Sequence, residues 1–253
     1  MKKVLALISM LSFPINAMAA DLYGGSIKDE FVQYAPAFSW TGCYIGANVG
    51  TGSQSSETVF AGTPDVPGLF NNGSNTASGV IGGGQLGCDF QRGKFVFGIQ
   101  GLFDATNLDG RNDYTEGIGL SSTRTQAEWV ATLTGRIGIA VTPMTLLYAK
   151  GGIAWVSNSY TDSCLTTCSN GTVDNPANPN YVGRGDDRRT GWLVGGGLEH
   201  ALDERWSVFA EYNYMDFGGE TTTITERSDG YTWKNDYDHD IHAVMFGVNL
   251  RFN

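Results

Sequence analysis

The chain has 253 residues, including 35 Gly, with 12% aromatic residues and 17% charged residues, against about 25% charged in typical soluble domains. Its formal charge of −10 at pH 7 argues against a nucleic-acid partner, because binding phosphates requires clusters of Lys and Arg. Gly lowers helix propensity by about 1 kcal/mol relative to Ala, so Gly repeated within aromatic stretches indicates β-structure.

The first residues have the three parts of a secretory signal peptide. Two lysines precede an apolar run at 4–13, and a small-residue A-x-A pattern follows at 17–19. The run is too short to span a bilayer as a helix, which needs about 20 residues. We therefore expect an exported protein, with cleavage near Ala19 or Ala20.

Eight later segments alternate an apolar set of residues with a small, polar or charged set. Alternation over roughly 9–11 residues is typical of a tilted strand that crosses a membrane. The segment 145–157 illustrates the pattern, since Leu147 and Ile153 belong to its apolar set and Tyr148 and Lys150 to its polar set. The eight segments lie near 42–51, 78–90, 94–106, 126–140, 145–157, 190–201, 205–216 and 240–252.

The connections between these segments are alternately long and short. Long ones lie near 52–77, 107–125, 158–189 and 217–239, and short ones near 91–93, 141–144 and 202–204. A soluble β-sandwich also alternates, but the polar sets here are rich in Gly and poor in Lys and Glu. The pattern predicts an all-β fold: an eight-stranded antiparallel up-and-down transmembrane β-barrel with four long extracellular loops and short periplasmic turns.

Aromatic residues support the membrane interpretation, because they lie at the ends of the apolar sets, where interfacial girdles are expected. These residues are Trp129, Trp155, Trp192, Trp206, Tyr212 and Phe252.

The inward-facing set of such a barrel contains several charged residues. Because eight strands enclose a space that side chains fill, these residues predict a luminal polar network. Arg136, Lys150, Glu199 and Glu211 fall at similar heights on the fourth to seventh segments, which places two cations beside two carboxylates. A pore lining or a proton path is the functional alternative. The predicted inward polar residues are Gln100, Asp104, Arg136, Lys150, Glu199, Glu211, Asn249 and Arg251.

Several motifs resemble one family. WTGCYIGAN at 40–48, GGGQLG at 82–87, TLTGRIG at 132–138 and AEYNY at 210–214 are similar to strands of the small outer-membrane β-barrel ("porin family") proteins of alphaproteobacteria. The resemblance implies an outer-membrane location, with outer-membrane lipid and lipopolysaccharide as surroundings and the barrel-assembly machinery as a partner during biogenesis. Some members are linked to host interaction through their long loops and some to haem binding. The family label does not establish pore activity.

Four Cys in an exported chain predict disulfides, with three possible connectivities. Cys43 begins the first segment and Cys88 ends the second, so antiparallel pairing brings both to the periplasmic end. Cys164 and Cys168 lie four residues apart in the third long connection. We predict the pairs 43–88 and 164–168, and no metal site.

The stretch DYDHDIH at 236–242 raises two further hypotheses. Its His residues suggest a metal or haem site, but His239 and His242 differ by an odd number and therefore face opposite sides of a strand. A catalytic group like that of lipid-modifying barrels would combine His239 with Ser228 and with Asp236 or Asp240. We assign no cofactor-binding or catalytic residue.

These observations divide the chain into a signal peptide at 1–20, a periplasmic leader at 21–39 and an outer-membrane barrel domain at 40–253. The expected role is structural and surface-interacting rather than catalytic. A haem- or iron-binding surface protein and a narrow porin-like channel are the alternatives.

Overall fold

A computed structural model describes residues 38–62, 67–116, 119–164, 182–226 and 232–252. Eight antiparallel strands pair in chain order, and β1 pairs with β8 to close the barrel. Among these residues, none forms a helix long and apolar enough to cross a bilayer. The strands are β1 Gly42–Gly62, β2 Pro67–Arg92, β3 Phe95–Glu116, β4 Gly119–Thr142, β5 Thr145–Cys164, β6 Val182–Ala201, β7 Trp206–Glu226 and β8 Thr232–Phe252.

Side-chain alternation sorts the residues between the lumen and the outer face. On β5, Tyr148 and Lys150 are buried, whereas Leu147 and Ile153 are 51% and 46% exposed. The same alternation on the other strands produces an outward apolar belt around the half of the barrel nearest the short turns. The predicted barrel is confirmed, with an apolar belt outside and charged and amide side chains among those that fill the inside.

The three short turns lie at the predicted positions. The β2–β3 turn contains Gly93, whose φ of +62° is the left-handed conformation that Gly adopts readily. In the β6–β7 turn, the Asp203 carboxylate accepts hydrogen bonds at 2.7 Å from the backbone N–H groups of Arg205 and Trp206. Both turns therefore contain a residue type that favours turns, Gly93 in one and Asp203 in the other, and these can be recognised in the sequence.

At the opposite end, the strands extend well beyond the predicted segments. The first segment was expected to end near residue 51, but β1 continues to Gly62, and pairs such as Ser55↔Thr76 prolong its ladder with β2. Backbone hydrogen bonding continues there although the outward residues are no longer apolar. Much of what the sequence predicts as long loop is therefore barrel wall. Residues 63–66, 117–118, 165–181 and 227–231, which lie outside the described ranges, belong to the four connections at this end.

The β6–β7 ladder is interrupted in this upper half. Pairing between β6 and β7 stops at Trp192↔Asp216 and resumes at Arg184↔Thr225. Over the same stretch β6 remains paired with β5, and β7 remains paired with β8 apart from a bulge between Asp216 and Gly219. We call the unpaired stretch, residues 185–191 of β6 and 217–224 of β7, the β6–β7 window.

Candidate functional site in the barrel lumen

The lower lumen, nearest the short turns, holds four charged side chains from four strands: Asp89, Arg136, Glu199 and Arg251. Arg136 lies 2.5 Å from Asp89 and 3.0 Å from Glu199. Arg251 contacts the same two carboxylates, at 2.7 Å and 3.1 Å. We call this group the basal charge network. It contains two cations and two carboxylates, so each buried charge has partners of opposite sign.

An aromatic side chain closes the network from below. Trp40 precedes β1, is fully buried, and packs in a cluster with Leu146 at the lower end of the lumen. The Arg251 guanidinium lies 5.0 Å from the centroid of the Trp40 ring and donates a hydrogen bond to the Trp40 carbonyl at 2.7 Å. The cation–π contact and the hydrogen bond fix the entry of the chain into the barrel.

A second ion pair lies alongside the basal charge network. Lys150 is 2.7 Å from Glu211 and donates to the side-chain oxygen of Gln100 at 3.2 Å. The Tyr148 hydroxyl donates to Glu211 at 2.9 Å. The four residues predicted at similar heights therefore form two pairs, Arg136 with Glu199 and Lys150 with Glu211.

Amide side chains connect Asp104 to this system. Asp104 accepts from Asn48 at 3.0 Å, and Asn48 also donates to Gln85 at 2.8 Å. Gln85 donates to Asn249 at 2.8 Å, and Asn249 donates to Glu199 at 2.9 Å. Every predicted luminal residue is thus buried in one connected region. The sequence analysis missed Asp89 and Gln85, although alternation on β2 places Asp89 inward whenever Cys88 faces outward.

Glycines make room for the large residues of this region. A Cβ on Gly87 would lie 2.6 Å from the Tyr44 ring, and one on Gly247 would lie 2.5 Å from the Phe209 ring. Such distances are too short for a Cβ, so the smallest residue is required at both positions.

An apolar layer covers the polar region from above. A cavity of about 10 Å³ lies between the two, lined by Asp104 and Lys150 on one side and by residues such as Met245 on the other. This volume holds roughly one water molecule. The layer comprises Ala77, Ile81, Leu102, Leu108, Ala127, Val130, Ala154, Val156, Leu193, Met215, Phe217, Ile241, Ala243 and Met245.

Above the apolar layer, His239 is the centre of a second buried cluster. Its Nδ1 is 3.2 Å from Gln54, and its Nε2 is 2.6 Å from the Tyr160 hydroxyl. The rings of Tyr160 and Tyr237 stack beside it. His239 lies beyond Val244, the last outward apolar residue of β8, and is therefore outside the apolar belt. Burial, and then the nearby Arg189, lower the pKa of His239 to about 3.

The family is decided by a comparison with known domains. Residues 5–252 match the family model described as "Outer membrane protein beta-barrel domain". The chain belongs to this outer-membrane β-barrel family. The match and the names of the relatives place the protein in the outer membrane.

Relatives of this barrel include named outer-membrane proteins. The chain is 27% identical to the 31 kDa outer-membrane immunogenic protein of Brucella melitensis, in an alignment of 261 residues that covers 100% of both chains. It is 23% identical to the 25 kDa outer-membrane immunogenic protein of Brucella abortus, in an alignment that covers 98% of this chain and 97% of that one. Among solved structures, it is similar to OprG from Pseudomonas aeruginosa, at 15% identity and a TM-score of 0.49, over 84% of this chain and 97% of that one.

The histidines of this outer-membrane barrel do not form a common site. His239 is buried in the lumen, whereas the side chain of His242 faces outward and is 46% exposed, so the predicted opposite orientation is confirmed. Both ring nitrogens of His242 have partners, Tyr212 at 2.5 Å and Asp240 at 3.1 Å. Since both nitrogens of His239 also have partners, neither ring presents a free ligand atom.

The hypothetical catalytic group is not assembled in the described structure. His239 points into the lumen, but Asp240 pairs with His242 on the outer face, and Asp236 accepts a hydrogen bond there from Thr221. Ser228 lies outside the described residues. Within the described ranges, no cluster of three or more His, Cys, Asp or Glu side chains is arranged to hold a metal ion.

The predicted disulfide between Cys43 and Cys88 is present in the structure. The two residues are direct partners in the β1–β2 ladder and face outward at its lower end. Cys168 and the side chain of Cys164 lie outside what the structure describes, so the second predicted disulfide remains a prediction.

Proposed function

We propose that the protein is a non-catalytic outer-membrane barrel that stabilises the envelope and presents its extracellular wall to surface ligands. The observation that carries this proposal is the filled lumen. Trp40 and the basal charge network fill its lower part, and the apolar layer covers them. A solute passing along the axis would have to displace paired charges and then an apolar constriction, which opposes conduction by excluding water.

The length of the strands supports the surface role. Each has 20 to 26 residues, about twice the 9–11 that a tilted strand needs to cross the bilayer. The excess lies at the end with the long connections, where outward positions such as Glu57, Lys234 and Asp238 are exposed and charged. The related Brucella proteins are called outer-membrane immunogenic proteins, a name that fits an exposed extracellular wall.

Lysine labelling on intact cells tests the surface role. Lys234 lies on the upper wall and Lys94 in the short β2–β3 turn, and both are exposed. A membrane-impermeant amine reagent should modify Lys234 but leave Lys94 unmodified until the cells are lysed. The Lys234→Arg variant is the matched control and should lose the surface signal. Modification of Lys94 alone in intact cells would reverse the proposed orientation.

Planar bilayers test the alternative of a narrow channel. The purified barrel should give no unitary conductance in concentrated KCl, in a bilayer where a trimeric porin does. Steady unitary steps from the purified protein would contradict a filled lumen and favour the channel. Haem titration should likewise give no Soret shift that depends on His239 or His242.

We further propose that residues 1–20 are removed during export and that the barrel-assembly machinery inserts residues 40–253, with residues 21–39 left as a periplasmic leader. The intact mass of the protein from outer-membrane fractions should correspond to a chain that begins at Ala20 or Asp21. A mass that includes residues 1–20 would contradict this.

A further inference from the structure

The β6–β7 window is an opening in the backbone ladder of the barrel wall. Trp192, the last paired residue of β6 below it, is 50% exposed at the upper boundary of the lipid-facing belt. A bilayer interior does not tolerate unpaired backbone groups that face lipid. The unpaired backbone of the window therefore lies above the lipid-facing belt, at the level of the outer-leaflet headgroups.

A buried guanidinium fills the window in place of a ladder. The Arg189 side chain is fully buried and lies 2.5 Å from Asp187. Its other nitrogens donate to the carbonyl groups of Tyr237 at 2.6 Å, Gly218 at 3.3 Å and Glu220 at 3.3 Å. Opening the wall here requires the release of side-chain contacts, whereas lower on the same two strands, at residues 192–201 of β6, it requires the loss of consecutive ladder hydrogen bonds.

Below Arg189, the inner side of the window is apolar. Phe217 belongs to the window, and it packs in the apolar layer with Met215 and Leu193, which lie just below it on β7 and β6. A molecule that entered from the outer leaflet would therefore meet a cation at headgroup height and apolar side chains beneath it. This order matches an amphiphile that has an anionic head.

We propose that the β6–β7 window is a lateral binding site for a single-chain amphiphile with an oxyanion head, either a carboxylate or a phosphate. The head replaces Asp187 as the partner of Arg189, because the planar guanidinium binds two oxygens of one oxyanion through parallel hydrogen bonds. The chain lies against Phe217. The structure is the closed form, in which Asp187 occupies the position of the head.

Native mass spectrometry of the full barrel released from detergent tests this site. The probes are dodecanoate and dodecyl phosphate, with 1-dodecanol as the neutral control. We expect a saturable one-to-one complex with at least one oxyanion and none with the alcohol. The oxyanion that binds identifies the head as a carboxylate or a phosphate. Equal binding of the alcohol would overturn the proposal.

Two neighbouring arginines provide matched variants. Arg189→Gln should weaken binding at least about 10-fold, as expected for the loss of a charge-assisted hydrogen bond, and Arg189→Lys should restore part of it. Arg188→Gln, one residue away on the exposed outer face, should bind like the wild type. Unchanged binding by Arg189→Gln, or an equal loss in Arg188→Gln, would overturn the site.

Amide hydrogen exchange on the wild-type protein keeps the test independent of how the variants fold. Amides of residues 185–191 that face β7 should exchange at least about 10-fold faster than those of residues 192–201, which are paired on both sides. The oxyanion that binds should slow them selectively. Uniform protection across β6, or no effect of either oxyanion, would refute a lateral site.

Discussion

The lower and upper halves of this barrel use buried arginine in opposite ways. In the lower half, Arg136 and Arg251 share two carboxylates inside a wall whose ladders are continuous around them. In the upper half, Arg189 has one carboxylate and otherwise binds carbonyl groups and the Thr222 hydroxyl beside an interrupted ladder. The first arrangement fills the lumen inside a wall whose ladders are complete. In the second, the side-chain contacts of Arg189 replace ladder hydrogen bonds that are missing between β6 and β7.

The largest effect should follow from breaking the basal charge network. Arg136→Met leaves Asp89 and Glu199 with Arg251 as their one remaining cation, and removing one partner of a buried pair costs about 3–5 kcal/mol. We expect this loss in the free energy of unfolding, measured by urea titration of the barrel in lipid vesicles. Arg136→Lys keeps the charge but not the two-oxygen geometry, so it should be intermediate. A loss below about 1 kcal/mol for Arg136→Met would show that the network contributes little.

The disulfide should rank next. It closes a separation of 45 residues between directly paired positions, and the loop-entropy relation gives about 4 kcal/mol at that length, with measured values usually about 2–4. The double variant Cys43→Ser/Cys88→Ser should be destabilised by that amount in the same titration. Reduction of the wild type should have the same effect, whereas the reductant should leave the double variant unchanged.

A pH change should act on the upper half through His239. Its pKa in the folded barrel is about 3, against about 6.5 in an unfolded chain. Below pH 6.5 the unfolded chain binds a proton that the folded barrel does not, so stability falls from pH 6.5 towards pH 3. At pH 5 the loss relative to pH 7 should be about 2 kcal/mol, and His239→Gln should lack this component. An identical pH dependence in the variant would mean that His239 does not titrate as described.

The lower half could be predicted from the sequence to a large extent. Alternation assigns Arg136, Lys150, Glu199 and Glu211 to the inward set, and all four side chains are buried in the structure. The turn residues Gly93 and Asp203 lie just beyond the ends of their strands. The exact partners were not predictable, because a barrel with staggered strands brings residues from β2, β4, β6 and β8 to one point. Alternation could have placed Asp89 inward, but not in contact with both Arg136 and Arg251.

The upper half was predictable only in part. Alternation also places Glu128 inward, but a bulge between Ala127 and Trp129 turns it to the exposed outer face. A bulge shifts the side-chain phase by one residue, which periodicity alone does not reveal. The β6–β7 window could not be predicted from periodicity for a similar reason. Whether a ladder is continuous depends on the neighbouring strand as much as on the residues of β6.

The smallest effect should come from an exposed ion pair in the upper half. Arg111 lies 2.8 Å from Asp113, but both side chains are at least half exposed, and solvent-exposed ion pairs contribute little to stability. Arg111→Gln should therefore change the free energy of unfolding far less than Arg136→Met does, and the difference from the wild type should shrink further at high salt. Compared with Arg136→Met in the same titration, this variant separates the effect of burial from that of charge alone. If the two variants were equally destabilised, burial in the lower lumen would not explain the loss in Arg136→Met. The contrast between the two halves would then be contradicted.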